Sequence, residues 1–288
     1  MAILAFYQHR GRGMEKAMAF ERWRGFVRAW QDYPLREGAW IGKRYQVESL
    51  LGEGSYGLTY RCFDAKEETL VAVKQSRPSK KAAGRALLGK ESNILRALNH
   101  SNIPVCRDYF EYKDLNWLVS DYIEGKTLED KIFAEHMVYG ERECLDTTLK
   151  LMELVSYVHS RGFVHLDLRI PNVILRDAEL YLIDFGLARQ IGEIESTDAG
   201  HEPKSEEMPV RMPPVIVSDL YYVGQLMLFM LYSAYQPEPG GAERSWREEL
   251  DLSHEMLHIL TRLHGEQEAY EDTASFVREA EQFYRSLQ

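Results

Sequence analysis

Cysteine is scarce and poorly placed for a disulfide or metal role. The 288-residue chain has 3, at Cys62, Cys106 and Cys144, odd in number, widely separated and without metal-ligand spacing. That argues against a disulfide framework and a zinc site, and predicts reduced thiols in a cytoplasmic protein. Long hydrophobic runs are also lacking. The most apolar stretch, VGQLMLFMLYSAY at 223–235, falls short of the roughly 20 residues that span a bilayer, so a buried helix is expected there. At the start, MAILAFYQHRGRG has only a short apolar run, and basic residues come after it instead of preceding it, so no signal peptide is expected. No internal repeat is evident. Basic charge is in short supply: Lys and Arg total 35 against 45 Asp and Glu, a net charge of −10. Such a chain is not expected to take nucleic acid as a partner, because phosphate backbones are bound by clustered Lys and Arg.

The charge that is present is unevenly spread. Residues 1–36 hold Arg10, Arg12, Lys16, Arg22, Arg24, Arg28 and Arg36 against Glu15, Glu21 and Asp32, a net +4, so the remainder carries −14. Within this segment, residues 14–31 place Phe20, Trp23, Val27 and Trp30 at helical spacing with Arg and Glu between them. The pattern predicts a helix, either packed on the following domain or docking to a partner or an anionic membrane surface. Pro34 and Gly38 end it.

Beyond Gly38 the chain changes character. YQVESLL, GLTYRCFD and TLVAVKQ are short runs rich in β-branched and aromatic residues and predict strands. Residues 79–98 predict a helix, WLVSDYI a buried strand, and residues 146–161 an amphipathic helix with Asp146 as its N-cap. Short strands alternate with polar turns through VHLDL, NVILR and LYLIDFG. Residues 190–214 predict an exposed loop, and 218–288 are mainly helical. A β-rich part succeeded by a helix-rich part is an α+β arrangement in two lobes.

Polar residues cluster where apolar strands end. HLDLRIPN puts His165, Asp167, Arg169 and Asn172 within eight residues, and LIDFG sets Asp184 just after a buried run. Each alone is an ordinary loop residue. Jointly they suit phosphate chemistry: Asp167 to accept or orient a hydroxyl proton, Arg169 to offset phosphate charge, and Asn172 and Asp184 to offer oxygens to Mg²⁺. His165 reads as a support of the turn. Upstream, LGEGSYG carries Gly52, Gly54 and Gly57 in the pattern G-x-G-x-x-G. A strand comes after it instead of a helix, so a Rossmann loop is not expected. A glycine flap between two antiparallel strands is, with backbone N–H groups free to approach an anion. Lys74 ends the strand of VAVK, either as an edge lysine reaching solvent or as a cation for phosphate oxygens. Glu91, on the next helix, is the carboxylate that would hold it in the second case.

Together these motifs resemble the protein-kinase signature set in order: glycine flap, strand lysine, helix glutamate, catalytic loop, D-F-G. The likeness covers about residues 44–288 and is similar to bacterial eukaryotic-like serine/threonine protein kinases. It implies an extension over 1–40, an N-lobe over 41–120 and a C-lobe with a short activation segment over 121–288. It implies catalytic roles for Asp167, Arg169, Lys74 and Glu91. A nucleotide site is implied from Leu51, Gly52, Gly54, Ser55, Gly57, Thr59, Ala72, Lys74, Asp121 and Ile123, with Ser120 just before the hinge. Asn172 and Asp184 match the metal ligands, and Asp219 matches a residue that bonds back to the catalytic loop. ATP and Mg²⁺ (or Mn²⁺) are the implied cofactors, and a protein bearing Ser or Thr the implied acceptor.

The departures are specific. Leu166 stands where the family usually has Arg, so control by a phosphate paired to that Arg is not expected, although Ser196, Thr197 and Ser205 lie in the loop. Arg169 replaces the usual Lys, and Thr59 the usual Val. A-P-E is absent, and RMPPV nearby supplies no glutamate. These departures leave two alternatives beside an active protein kinase: a pseudokinase scaffold that still holds nucleotide, and a phosphotransferase acting on small molecules.

Overall fold

The computed structural model describes residues 33–54, 57–194, 212–236 and 244–287. The segment 14–31, the loop serines and threonine at 196, 197 and 205, and Ser55 lie outside the described residues. Contacts divide the chain into two units, one running to Gly89 and including Cys106–Tyr122, the other formed by Lys90–Val105 and Ile123 onwards.

The first unit is a six-stranded antiparallel sheet. Its strands are β1 (Trp40–Ile41), β2 (Tyr45–Glu53), β3 (Gly57–Asp64), β4 (Thr69–Ser76), β5 (Cys106–Tyr112) and β6 (Leu115–Asp121), in the order β1-β2-β3-β4-β6-β5. Alternation sets the faces. Leu58, Tyr60, Cys62, Val71, Val73, Trp117 and Val119 share one side and form a buried cluster with Ile41, Tyr45 and Val47. Leu35 and Ala39 pack against that cluster. Their backbone joins the sheet too: Gly38 N–H donates to Val47 O at 2.8 Å, and Leu35 N–H to the Tyr60 hydroxyl at 3.1 Å. Chain from 35 to 40, expected from the sequence to belong to an extension, therefore helps to cover this sheet. The β5–β6 turn is a tight two-residue hairpin with Lys113 and Asp114 both at positive φ, the conformation that matches strand twist.

Helix α1 (Lys81–Ala97) comes after Pro78, which ends the fourth strand. It runs from the first unit into the second, to which the remaining helices belong. These are α2 (Glu141–Ser160), α3 (Ile216–Tyr232), α4 (Trp246–Glu249), α5 (His254–Leu263) and α6 (Thr273–Ser286). Short strands β7 (Lys126–Thr127), β9 (Val173–Arg176) and β10 (Glu179–Leu182) form one sheet, and β8 (Phe163–Val164) with β11 (Arg189–Gln190) another. Helix α2 begins earlier than its sequence suggests. Gly140 is its N-cap, and Asp146 sits inside it, paired with Lys150 one turn on at 2.7 Å. The buried stripe of Cys144, Leu145, Thr148, Leu151, Met152 and Val155 extends the apolar face upstream of Asp146, and acidic Glu141 and Glu143 suit its first turn. Helix α3 contains most of the apolar run at 223–235 and buries Val223, Leu226, Met227, Met230 and Leu231. Among the described residues no helix is long and apolar enough to cross a membrane.

Candidate active site

In the first unit, the strand register collects the glycine flap, Lys74 and the strand that ends at Asp121. Gly52 pairs with Thr59, Thr59 with Lys74, and Lys74 with Leu118; Ala72 pairs with Ser120. Cross-strand partners share a face, so Thr59, Ala72, Lys74 and Ser120 lie opposite the Tyr60–Val73–Trp117 cluster. The flap closes with Gly54 N–H donating to Gly57 O at 2.9 Å, while Arg77 Nε donates to Gly54 O at 2.8 Å. Two of its glycines differ in what demands them. A Cβ on Gly57 would lie 2.7 Å from the Gln75 carbonyl oxygen, so packing between strands excludes a side chain there. At Gly52 a Cβ would meet nothing within 4 Å, so the first unit's own packing does not require glycine at this position. Leu51, beside it, is exposed. Asp121 ends the sixth strand opposite Val71, with its carboxylate on Arg107. Ile123 begins the longer segment of the second unit.

In the second unit, the HLDLRIPN turn is held from beneath by Asp219 of α3. This carboxylate is fully buried. Its Oδ2 accepts the His165 N–H at 2.8 Å and its Oδ1 the Leu166 N–H at 2.7 Å. His159 of α2 approaches the same Oδ2 through Nε2 at 2.8 Å and has Thr273 at 2.9 Å from Nδ1. The clamp matters because Leu166 sits at φ +60°, a region unfavourable to a branched side chain, and such a conformation persists only where neighbours over-determine it.

His165 is buried behind the turn. Its Nε2 lies 3.2 Å from Ile183 O, its Nδ1 accepts the Asp167 N–H at 3.3 Å, and its ring meets Phe185 edge-on at 4.7 Å. Burial pushes its pKa down against the pull of Asp219, Asp167 and Asp184, which favours the neutral ring. A neutral ring protonated on Nε2 satisfies both bonds. The histidine links the HLDLRIPN turn to the chain leading to Asp184.

Asp167 receives two side chains, Arg169 and Asn172. Arg169 forks onto it, Nε at 2.6 Å from Oδ1 and a terminal nitrogen at 2.9 Å from Oδ2. Asn172 donates Nδ2 to Oδ2 at 2.8 Å and to the Asp167 carbonyl at 2.8 Å. Burial opposes the Arg169 charge, but the Asp167 and Asp184 carboxylates outweigh it and raise its pKa. With the amide nitrogen of Asn172 committed to Asp167, its Oδ1 is the end suited to a cation. Asp184 lies at φ +61°, is exposed, and accepts the Gly186 N–H on Oδ1 at 3.1 Å. Glu91 of α1 is 4% exposed. Among the described residues no three His, Cys, Asp or Glu come together as metal ligands. A neutral amide oxygen and one carboxylate are hard donors too few for an all-protein cage. They suit Mg²⁺, which usually completes its shell with water and phosphate oxygens.

Some supporting residues carry no sequence signal. His159 lies on the buried face of an ordinary amphipathic helix. Asn102 accepts the Leu182 N–H at 3.0 Å and donates Nδ2 to Leu180 O at 2.9 Å, steadying the strand before Asp184. Tyr222 is near enough to Asp167 and Asp219 that, after burial, their charges further raise its pKa.

Comparison with known proteins identifies the family. The model of the protein kinase domain matches residues 45–283. The chain is 35% identical over 246 residues to the probable serine/threonine-protein kinase YbdM of Bacillus subtilis, covering 85% of this chain and 91% of that one. It is 27% identical over 252 residues to serine/threonine-protein kinase B of Synechocystis, covering 77% of this chain and 43% of the relative. The solved kinase domain of Mycobacterium tuberculosis PknI has the same fold, with a TM-score of 0.64 at 18% identity, covering 86% of this chain and 99% of that structure. On the family match and the relationship to the Bacillus kinase, the chain belongs to the protein kinase domain family.

Proposed function

We propose that this chain transfers the γ-phosphate of ATP to serine and threonine hydroxyls of proteins. The observation that carries the reading is Asp167, fixed by Arg169 and Asn172 on a turn that Asp219 holds in a strained conformation. A carboxylate so placed receives or orients the proton of an attacking hydroxyl. Arg169 keeps positive charge beside it and offsets charge on the phosphate in transit. Lys74 binds phosphate oxygens and Glu91 orients it. The flap from Leu51 through Gly52, Gly54, Ser55 and Gly57 to Thr59 covers the nucleotide. Ala72 and the backbone of Asp121 and Ile123 line the base. Mg²⁺, held by Asn172 and Asp184, would neutralise the phosphate oxygens. Cytoplasmic placement accords with three cysteines that form no disulfide among the described residues. Residues 14–31 remain the proposed docking segment for a partner or membrane surface.

The test is transfer from γ-labelled ATP, with Mg²⁺ or Mn²⁺, to the chain itself and to a generic acceptor protein, and then identification of the labelled amino acids. Phosphoserine and phosphothreonine are expected. Label confined to phosphotyrosine, or to added aminoglycosides and small alcohols, would contradict the acceptor assignment.

A further inference from the structure

The residue before Glu91 is drawn to a carboxylate from beyond the D-F-G turn. Glu193 Oε1 lies 2.5 Å from Lys90 Nζ, and Glu193 Oε2 accepts the Gln190 N–H at 3.3 Å. The turn presenting Glu193 is fixed on its own account. Ile191 N–H donates to Gly162 O at 2.9 Å, Gly192 N–H to Pro214 O at 2.9 Å, and Glu193 N–H to Gln190 O at 3.0 Å. Gly192, at φ +75°, makes the reversal, and β11 just before it pairs with β8. Burial alone would raise the pKa of Glu193; Lys90 and the Gln190 N–H outweigh it and hold the carboxyl below its usual range.

Helix α1 is also held at its far end. Asn99 N–H donates to the Tyr157 hydroxyl at 2.6 Å, Arg161 donates to Ala97 O at 3.1 Å, and the His100 ring packs on Tyr157 at 4.9 Å. Lys90 is seven residues before Ala97, about 10 Å along the axis at the helical rise. A helix attached at one end can tilt and turn about that point. A second attachment this far away restricts both, and Glu91 is the next residue along.

We infer that the Lys90–Glu193 pair is a positioning device for Glu91, fastening α1 to the start of the activation segment through charge already present in the sequence. The inference rests on the kinase reading, in which Glu91 orients the phosphate-binding lysine. No phosphate is needed for the contact, which accords with Leu166 standing in place of the usual arginine.

The side chains of Lys90 and Glu193 are 48% and 30% exposed, so the pair is weak and open to screening by salt. Three full-length variants test it: Glu193→Gln, Lys90→Met and the exchange K90E/E193K. At low salt, each single variant is expected to lower kcat/KM for ATP about two- to fivefold. KM for the acceptor protein and the unfolding temperature should stay the same. The exchange should recover most of the loss. Wild-type activity should fall with salt more steeply than that of either single variant. Equal wild-type and Glu193→Gln activity at low salt would overturn the inference, as would an exchange no better than the single changes, or activity lost only in step with melting temperature. Asp167→Asn serves as the control. Transfer lost there but unchanged in Glu193→Gln refutes the tether alone, whereas transfer that survives Asp167→Asn refutes the reading beneath it.

Discussion

Replacing Asp219 by Asn should damage both stability and catalysis, although Asp219 is separated from any reacting group by the turn it supports. Its two oxygens accept two backbone N–H groups, and Oδ2 also meets His159 Nε2. An asparagine of the same shape offers one carbonyl oxygen. Its amide nitrogen must face either the Leu166 N–H or the His165–His159 side, setting donor against donor. Asp219 is 0% exposed, so water cannot repair the mismatch. Leaving one or two buried donors without acceptors costs about 1–3 kcal/mol each, so a loss of roughly 3 kcal/mol is expected. At about 2–4 °C per kcal/mol, the unfolding temperature should drop by roughly 6–12 °C. The catalytic effect comes through Leu166. Held at φ +60° by the lost bond, it would relax towards ordinary backbone, and Asp167, the next residue, would move with it. Thermal unfolding and phosphate transfer, measured side by side below the melting transition, give the answer. An Asn variant with wild-type melting and wild-type turnover would refute the clamp.

Other consequences are as direct. Among the described residues neither buried ring nitrogen of His264 has a well-formed hydrogen bond, and burial, then Arg247, lowers its pKa against a weaker pull from the Leu260 backbone. Because the folded state resists protonating this ring, its contribution is retained above the unfolded value of about 6.5 and is lost as pH falls below it; His264→Phe should therefore flatten the decline in melting temperature between pH 7 and pH 5.5. Arg169→Lys keeps the charge but gives up the fork onto Asp167, and a drop of about tenfold in kcat is expected, with KM for ATP little changed; wild-type kcat would contradict a positioning role for the fork. Removing residues 1–41 should lower stability more than removing 1–32, since the longer cut deletes Ile41 and uncovers the cluster around Tyr60 and Trp117; equal unfolding temperatures for the two truncations would contradict this.

The sequence made the sheet legible because its strands alternate plainly. GLTYRCFD and TLVAVKQ read as strands and pair residue for residue, which carries Lys74 to the face opposite the apolar cluster. The motifs of the site were legible for another reason: glycine, Lys, Asp and Asn at fixed order encode chemistry without reference to packing. Where reading by pattern fell short, tertiary packing decided. Asp146 looked like a helix start, yet buried Cys144 and Leu145 carry the helix upstream to Gly140. His159 and Asn102 support the site through bonds to residues 60 and 78 positions away, separations that no local pattern encodes. Leu35 and Ala39 read as part of an N-terminal extension, and they cover the sheet because Gly38 turns their backbone onto Val47.

The most direct measurement is transfer from γ-labelled ATP by the full chain beside its Asp167→Asn variant, with nucleotide binding monitored in both. The account predicts label on serine or threonine from the wild type, a loss of about 10²-fold or more in the variant, and similar nucleotide affinity in the two. Equal labelling by wild type and variant, or nucleotide binding without transfer by a folded wild type, would contradict it.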